Sequence, residues 1–584
     1  MNRIYRRPGS SVRRVTTQVL FLALGLFLSV PLALAKQAPA APRPNGAVIA
    51  SAHHLATDAG HEILARGGNA FDAAVAVSSV LSVVEPYSSG LGGGGFYLLH
   101  DGKSGAEVMV DARETAPASA TPARYLDGKG ELDRDKAENG PMSAGVPGLP
   151  AGLVHLAKKY GRLPLSVSLA PAIRLASEGF DVHAHMVSSY AERKDVMERY
   201  AGTRKVYLAD GDPPELGERL LQPELAGTLR LLAKRGFDGF YRGEVARTIV
   251  ADVNKYGGDW NGADLAGYTV KERAPIRFDY RDWSIVTAPP PSSGGVALAE
   301  ILQMLEGWEL ARLDEPHRLH ILTEAMRRAY RDRTLYLGDP DFVQIPVARL
   351  TSDDYAAGLR ASIHPDKATP SAMLPGGKPP LEGDHTTHFS IIDAEGNLVA
   401  ATQTINLSYG SGMIAEGTGV LLNNEMDDFA LKPGTPNAFG VMGYDANAVK
   451  AGKRMLSSMA PTFMIGKDQV AVLGMPGGSR IITMVLLGML GIEQGLDPQQ
   501  ITALPRFHHQ YLPDTIFMEP NALAPETIQM LNSMGHVVSP GQDTWGNMQA
   551  VDWSLRTGTV RGGSDPRNPV GSSRVVETQA NAVK

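Results

Sequence analysis

A hairpin pattern in the second half of the chain limits both its fold and its chemistry. Two runs rich in β-branched residues, 386–393 and 398–404, flank Ala394-Glu395-Gly396-Asn397. Alternating strand residues on either side of a short polar, glycine-containing segment predict two antiparallel strands joined by a tight turn. The sequence therefore predicts a sheet at this point, with the start of the first strand beside the end of the second.

The register of this hairpin decides which side chains meet. If Asp393 pairs with Leu398, Thr404 lies one residue away from the position that faces Thr386. Because side chains alternate between the two faces of a strand, a slip by one residue would turn Thr404 to the other face. The pattern predicts that Thr404 can hydrogen-bond to Thr386 and orient it.

Thr386 is a candidate nucleophile. A threonine hydroxyl attacks poorly until a base accepts its proton, and an α-amine beside it would be such a base if the chain were cut before Thr386. An α-amine titrates near pH 8, close to the operating pH that general-base catalysis needs. The alternative is an ordinary threonine-rich strand, and this segment alone leaves both interpretations open.

Further motifs occur in order along the chain: Arg66–Ala74, Gly90–Phe96, Asp111–Pro117, Leu422–Phe429, Leu456–Met459, Pro476–Arg480 and Pro505–Gln510. Through them, residues 47–567 resemble the bacterial γ-glutamyltranspeptidases, also called glutathione hydrolase proenzymes. Members of that family are N-terminal-nucleophile hydrolases, made as one precursor and cut into two subunits. The resemblance implies a large subunit ending at His385 and a small catalytic subunit of residues 386–584.

The elements expected from periodicity indicate only a mixture of helices and strands. We expect helices in 54–84, 150–178, 223–235, 298–331 and 480–494, and strands in 419–424, 462–466, 470–474 and a late hairpin near 551–560. The resemblance implies the finer fold class, which is an α+β four-layer αββα sandwich formed jointly by the two subunits. Residues 364–384 are rich in Pro, Gly and Lys and are expected to form a surface loop.

The N-terminus has the features of an export signal. Several arginines precede an apolar run in residues 19–30, and Ala33-Leu34-Ala35 gives a small-residue cleavage site, so we expect a signal peptide over residues 1–35. An uncleaved membrane anchor is the alternative, although the run is short for a full span. Residues 36–46 form an Ala/Pro-rich tether before the large subunit, 47–385. We expect a periplasmic or secreted protein with no membrane contact after signal removal, exported by the general or the twin-arginine route.

Composition excludes several classes of site. The net charge of −6 and pI near 6.2 give no reason to expect nucleic acid. The absence of cysteine rules out disulfides, cysteine nucleophiles and thiolate metal sites. The pairs His508-His509 and His183-Ala184-His185 lack a carboxylate–histidine motif, and the glycine run 90–95 lacks phosphate-loop spacing, so no metal or cofactor is expected.

A glycine pair before a helix is the candidate oxyanion hole. Gly477 and Gly478 follow the predicted strand 470–474 and precede a helix, where consecutive N–H groups and the helix dipole favour a developing negative charge. A purely structural turn is the alternative from this segment alone. The resemblance favours the oxyanion role.

The resemblance also implies residues that bind the donor. An arginine fork suits the α-carboxylate of a γ-glutamyl group, and Arg113 occupies the family position for it. Ser457 and Ser458 would add hydroxyl bonds to that carboxylate. Asn406, Glu425 and Asp428 would accept hydrogen bonds from the α-ammonium.

Two positions depart from the family pattern. His385 precedes the cleavage point, where an amide side chain is expected in many relatives. In segment 433–447, which resembles the lid over the donor pocket, the gating aromatic residue is Phe439 rather than tyrosine. Phe439 can cover a pocket, but it has no hydroxyl to bond across it.

The implied activity is γ-glutamyl transfer. Thr386 would take the γ-glutamyl group from glutathione or a related compound and pass it to water, an amino acid or a dipeptide, without a cofactor. One alternative keeps the fold but changes the acyl group: a cephalosporin or glutaryl acylase. A second alternative, from another class, is an uncleaved, non-catalytic periplasmic binding protein.

Overall fold

The computed structural model describes residues 42–208, 211–374 and 386–578. The predicted signal peptide, most of the tether and His385 lie outside these residues. The described chain contains both helices and sheets, so the α+β prediction is confirmed. Within it, no helix is both long enough and apolar enough to cross a membrane.

The α-helices of the described residues are numbered in chain order. They are α1 His54–Ala65, α2 Ala70–Val84, α3 Arg134–Glu138, α4 Leu149–Lys159, α5 Leu165–Ser168, α6 Ala170–Glu178, α7 Ala184–Met197, α8 Ala201–Tyr207, α9 Pro223–Arg235, α10 Phe237–Tyr241, α11 Glu244–Lys255, α12 Gly262–Ala266, α13 Gly294–Leu305, α14 Glu315–Tyr336, α15 Val347–Leu350, α16 Asp353–Ala361, α17 Ile481–Glu493, α18 Pro498–Thr502 and α19 Pro525–Ser533. Short 3₁₀ turns occupy Pro122–Tyr125, Leu310–Arg312, Ser371–Met373, Glu425–Asp428, Asp445–Asn447 and Gly478–Arg480.

The strands are numbered in the same way. They are β1 Gly46–Ser51, β2 Gly94–His100, β3 Glu107–Ala112, β4 Phe180–Asp181, β5 Arg219–Leu220, β6 Lys271–Arg273, β7 Ile276–Tyr280, β8 Trp283–Thr287, β9 Thr387–Ile392, β10 Leu398–Thr404, β11 Ile414–Ala415, β12 Val420–Leu421, β13 Thr462–Ile465, β14 Gln469–Gly474, β15 Phe507–His508, β16 Ile516–Met518, β17 Val538–Pro540, β18 Gln549–Ser554, β19 Val560–Ser564 and β20 Ser572–Glu577.

Two large sheets form the centre of the molecule. The first has the order β20-β1-β9-β10-β2-β3-β6 and the second β19-β18-β14-β13-β8-β7. Strands β1, β9 and β10 of the first sheet lie against β14, β18 and β19 of the second. Helices α1 and α2 pack on the first sheet, and α13 and α17 pack on the second. Each sheet combines strands from before residue 386 with strands from after it.

The two sheets approach closely where His388 meets Gly474. A Cβ atom added at Gly474 would lie 2.3 Å from a ring carbon of His388, so only glycine fits there. The His388 ring also bonds to the Thr402 and Ser390 hydroxyls at 2.8 and 3.1 Å. Ser390 donates across to Gln549 O at 3.0 Å. This contact fixes β9, the strand that Thr386 precedes, against the second sheet.

The hairpin register differs from the prediction by one residue. Leu398 pairs with Ile392, and Asp393 N donates to Asn397 O at 3.1 Å. The loop therefore has three residues, 394–396, rather than four, because Gly396 adopts a left-handed conformation with φ of 85°. Continuing the observed register places Thr404 directly opposite Thr386.

Some predicted helices are interrupted. The segment 54–84 forms α1 and α2, separated at Gly67-Gly68, and Asn69 caps α2 through a capping box. The segment 298–331 also forms two helices, because Asp314 caps a new helix with Pro316 in its first turn. The predicted strand 419–424 is shorter: Val420–Leu421 pair with Ile414–Ala415, and Leu422 forms an isolated bridge with Gly92. Helix α9 matches the prediction.

The glycine run 90–95 is a place of close backbone approach. A Cβ at Gly92 would lie 1.9 Å from Leu421 O, and one at Gly93 would lie 2.1 Å from Thr404 O. Gly94 and Gly95 are the first two residues of β2. The missing side chains let the backbone pass directly beside Thr404.

Candidate active site

Thr386 and Thr404 lie together at the edge of the first sheet. Thr386 precedes β9 and Thr404 ends β10, and the Thr386 hydroxyl donates to Thr404 Oγ1 at 3.4 Å. Asn406 N also donates to Thr404 Oγ1, at 2.8 Å. Asn406 has a positive φ of 79°, which bends the chain at the end of β10 and turns this N–H back toward Thr404. The arrangement orients the hydroxyl of Thr386 toward a pocket.

That pocket, called the donor pocket below, collects nearly all the predicted site residues. Its lining consists of Arg113, Arg333, Thr386, Thr404, Asn406, Glu425, Asp428, Asn437, Phe439, Val441, Ser457, Ser458, Met459, Gly478, Ser479 and Ile481. Its free volume is about 20 Å³. That is room for about one water molecule, so a larger group can enter only if part of the lining moves.

Arg113 is the cation at the base of the donor pocket. It is 1% exposed and forms ion pairs with Glu425 Oε2 at 2.6 Å and Asp428 Oδ2 at 2.5 Å. Glu114 lies farther away, at 3.5 Å from the same guanidinium. Tyr268 donates to Arg113 O at 2.8 Å, which holds the backbone at the end of β3. The fork geometry of arginine lets it contact two carboxylates at once.

The cluster around Arg113 contains more negative than positive groups. Burial would lower the pKa of Arg113, but Glu425, Glu114 and Asp428 together raise it above its ordinary value. Burial raises the pKa of Glu114 to about 7, against the effect of Arg113. Burial also raises the pKa of Glu425 and Asp428. An added cation would therefore be stabilised here.

Ser457 and Ser458 are positioned by the turn that precedes α13. Ser457 N donates to Pro291 O at 2.8 Å, and the Ser293 hydroxyl donates to Ser457 O at 2.7 Å. Arg333, from α14, donates to Ser293 Oγ at 3.0 Å and to Ser458 Oγ at 3.2 Å. Burial lowers the pKa of Arg333. A second guanidinium thus lies beside the two serines.

The lid segment, residues 433–447, covers the donor pocket. Asn437 donates to Asp428 Oδ1 at 3.0 Å and accepts from Phe439 N and Val441 N. The Phe439 side chain is 5% exposed, and its carbonyl accepts from Gln510 Nε2 at 3.2 Å. The lid is therefore fastened to the carboxylate that binds Arg113.

The turn 477–480, called the oxyanion turn below, connects β14 to α17. Gly477 and Gly478 have φ of 131° and 52°, conformations that side-chain-bearing residues rarely adopt. Their N–H groups stand at the start of a helix, where the first donors have no partner within the helix. Gly478 lines the donor pocket, so this turn can present N–H groups to an oxyanion formed at Thr386.

Gly477 lies on the other side of Thr386 from the donor pocket. It lines a second pocket of about 200 Å³ together with Thr386, Glu85 and Tyr87. The Thr387 hydroxyl donates to Glu85 at 2.7 Å, and burial raises the pKa of Glu85 to about 7. Thr386 thus separates two pockets.

Sequence reasoning missed Arg333, Asn437, Ser479 and Glu85. Ser479 lies within the motif Pro476–Arg480 and Asn437 within the segment 433–447, so both belong to stretches that the sequence singled out, although neither was given a role. Arg333 lies in α14, which carries several arginines, and nothing in their spacing singles it out. Only the packing of α14 against the Ser293 turn reveals its position.

One group of possible metal ligands occurs among the described residues: His320, Glu324 and His536. The two rings bond to each other at 2.8 Å, and His320 Nε2 bonds to His364 O at 2.7 Å. Glu324 is paired with Arg327 and Arg328. These atoms already have partners, so the cluster is a hydrogen-bond network that holds the chain near residue 364.

The sequence model of the gamma-glutamyltranspeptidase family matches residues 56–575. A glutathione hydrolase proenzyme of Pseudomonas sp. (strain A14) is 45% identical over 507 residues, 86% of this chain and 88% of that protein. The Escherichia coli (strain K12) glutathione hydrolase proenzyme is 41% identical, covering 90% and 91%. A cephalosporin acylase structure from Bacillus halodurans superposes with a TM-score of 0.80 at 30% identity, covering 94% and 99%. The chain therefore belongs to the γ-glutamyltranspeptidase family.

Proposed function

We propose that this protein is a glutathione hydrolase and γ-glutamyltransferase whose nucleophile is Thr386. The observation that carries the proposal is the meeting of Thr386, Thr404 and the oxyanion turn at the mouth of a pocket that contains Arg113. Each of these groups has a separate chemical task, and together they make up an acyl-transfer site.

The proposed reaction has two steps. The Thr386 hydroxyl attacks the γ-carbonyl carbon while its proton passes to the α-amine freed by cleavage before Thr386. The N–H groups of Gly477 and Gly478 stabilise the negative oxygen, and the α-amine passes the proton to the leaving nitrogen as the C–N bond breaks. In the second step, water or an amino acid or dipeptide amine attacks the ester and gives a proton to the α-amine. The bond to Thr386 Oγ1 then breaks, and that proton returns to Oγ1.

The charge distribution supports a donor that carries both an ammonium and a carboxylate. Glu425, Asp428 and Asn406 offer acceptors for the ammonium, and the surplus of carboxylates around Arg113 favours a cation. The α-carboxylate would bind Arg113 and the hydroxyls of Ser457 and Ser458, with Arg333 behind them. The free volume of the pocket requires that the lid with Phe439 open to admit this group.

The assembly we propose is a four-layer αββα sandwich of the N-terminal-nucleophile type, made by two subunits of one precursor. The packed sheets with helices on their outer faces support the layer order. The large subunit would end at His385 and the small subunit would begin at Thr386. Removal of the signal peptide 1–35 would leave the enzyme in the periplasm or secreted.

An acylase is the second candidate, because the likeness to a cephalosporin acylase extends over most of the chain. A glutaryl group, unlike a γ-glutamyl group, lacks the α-ammonium. The buried carboxylates Glu425 and Asp428 would then face no cation of the substrate. The donor pocket therefore favours the γ-glutamyl group.

The first experiment tests cleavage. Purified protein is run on a denaturing gel, and the smaller band is sequenced from its N-terminus. We expect two bands, the smaller beginning Thr386-Thr387-His388, while Thr386→Ala stays uncut. A single full-length band for the wild-type protein would mean that His385 blocks processing or that the chain is a non-catalytic binding protein, and the catalytic proposal would be abandoned.

The second experiment compares p-nitroanilides. We expect hydrolysis of the γ-glutamyl anilide with a kcat/KM far above that of the glutaryl anilide, because only the former supplies the ammonium. A preference for the glutaryl anilide would establish the acylase instead. Adding glycylglycine should speed anilide release if dipeptides accept the group.

A further inference from the structure

The side chain of Gln510 joins the lid to the oxyanion turn. Gln510 follows β15 and is 3% exposed. Its Nε2 donates to Phe439 O in the lid at 3.2 Å, and its Oε1 accepts from Ser479 Oγ at 2.5 Å. Ser479 directly follows Gly478 in the oxyanion turn. A single amide therefore bonds to two opposite parts of the donor pocket.

The partners of Gln510 allow only one orientation of its amide. Phe439 O is a carbonyl and needs a donor, so Nε2 must face the lid. Oε1 faces the Ser479 hydroxyl and also His508 Nε2, at 2.9 Å. Burial lowers the pKa of His508 to about 3, so the ring beside Oε1 is neutral. The amide is thus fixed on both sides.

Other side chains also contact the oxyanion turn and the start of α17, and the Arg480 guanidinium lies over the Trp545 ring, 4.3 Å from its centroid. Tyr330, from α14, donates to Ser479 O. Thr483, in the first turn of α17, bonds to His508 Nδ1 at 2.7 Å, which ties the helix to the ring that contacts Gln510. A change at Gln510 therefore acts on Ser479 directly and on α17 through His508.

We propose that Gln510 is a positioning residue that couples lid closure to the geometry of the oxyanion turn. When the lid lifts, Phe439 O moves away and leaves Nε2 of a buried amide without its acceptor, a state that costs free energy. Gln510 then reorients and Ser479 loses its fixed partner, so the adjoining N–H groups are no longer held toward Thr386. Acylation is fastest when the donor is enclosed. The proposal rests on the γ-glutamyl transfer proposed above.

The test uses Gln510→Met, which has a similar length but no strong donor or acceptor, in the processed enzyme. We expect a rise in donor KM, a fall of about ten-fold in the acylation rate, and faster amide hydrogen exchange in both 433–443 and 477–480. His509→Gln is the matched control, because His509 is buried in the same segment but contacts Asp514 and Tyr511 rather than the lid or the turn. His509→Gln should leave amide hydrogen exchange unchanged in both 433–443 and 477–480.

Coupling is reciprocal, so a change on the turn side must reach the lid. Ser479→Ala removes the hydroxyl that Gln510 accepts from, and we expect faster exchange in 433–443 although Ser479 does not bond to the lid itself. If Gln510→Met loosens the lid alone and leaves acylation unchanged, or if Ser479→Ala leaves the lid protected, the coupling is wrong. Gln510→Asn, too short to reach both partners, carries the same test should Gln510→Met fail to fold.

This result can be separated from a failure of the proposed function. A wild-type enzyme that does not cleave γ-glutamyl anilide overturns the function. A wild-type enzyme that cleaves it at the same rate as Gln510→Met overturns only the coupling.

Discussion

Replacing Arg113 by lysine tests how the donor pocket recognises its substrate. Arg113 contacts Glu425 and Asp428 with two different nitrogens. A lysine ammonium keeps the charge but lacks the planar fork, so it cannot bind the α-carboxylate of the donor through two parallel bonds, and at least one charge-assisted hydrogen bond to the substrate is lost. Such a bond contributes roughly 1.5–3 kcal/mol. At about 1.4 kcal/mol per factor of ten, kcat/KM for a γ-glutamyl donor should fall roughly 10- to 150-fold.

The assay compares two donors, γ-glutamyl anilide and 4-aminobutyryl anilide, which lacks only the α-carboxylate. Wild-type enzyme should strongly prefer the first donor. Arg113→Lys should lose most of that preference, because the missing bond matters only when the carboxylate is present. Arg328→Lys is the matched control, since Arg328 is equally buried and is paired with Glu324, outside the pocket.

Two results would refute this reasoning. An equal loss on both donors would show that Arg113 holds the pocket together rather than binding the carboxylate. The same change in preference for Arg328→Lys would show that any buried arginine has this effect. In either case, Ser457, Ser458 and Arg333 would become the candidates for carboxylate binding.

Three further predictions concern stability and access. Gly474→Ala places a Cβ 2.3 Å from the His388 ring, so the variant should lose about 1–3 kcal/mol of unfolding free energy and unfold at a lower temperature than the wild-type protein. Gly227→Ala, in α9, is the control, because a Cβ there meets nothing within 4 Å and should not destabilise the protein. Equal midpoints of thermal unfolding for the two variants would contradict the close contact between the sheets. Burial lowers the pKa of His388 to about 3. Between pH 6.5 and pH 3 the unfolded chain therefore binds a proton that the folded chain does not, and the uncut Thr386→Ala protein should lose roughly 2 kcal/mol at pH 5 through this group, measured by urea unfolding. His388→Gln should weaken this dependence of the unfolding free energy on pH. An unchanged slope of unfolding free energy against pH would contradict the role given to His388. Phe439→Ala should raise the donor KM several-fold in steady-state assays, because the ring covers the pocket, while Phe342→Ala, at a ring 39% exposed, should not.

Short-range patterns in the sequence predicted much of the fold. Helix α9 and strands β13 and β14 have clear periodicity and clear ends, and they occur where expected. The hairpin register was wrong by one residue, because the left-handed conformation of Gly396 shortens the loop. Nothing in the residue types of that loop distinguishes three residues from four.

Residues of the candidate site that belong to sequence motifs could be predicted, whereas those brought in by long-range packing could not. Residues within motifs, such as Arg113 and Ser458, lie together in the donor pocket as proposed. Arg333 could not be predicted, because its place depends on how α14 packs against a turn 40 residues earlier. The role proposed for Gln510 likewise depends on two contacts, to Phe439 and Ser479, that are distant in sequence.

The mixed origin of both sheets has a consequence for how the mature enzyme would withstand heat. The uncut chain can unfold and refold as one molecule. After a cut before Thr386, the strands of each sheet belong to two separate molecules, and refolding requires them to meet again. Thermal unfolding of the cut enzyme should then depend on protein concentration and become practically irreversible. Its lifetime would be set by the rate at which the sheets first open.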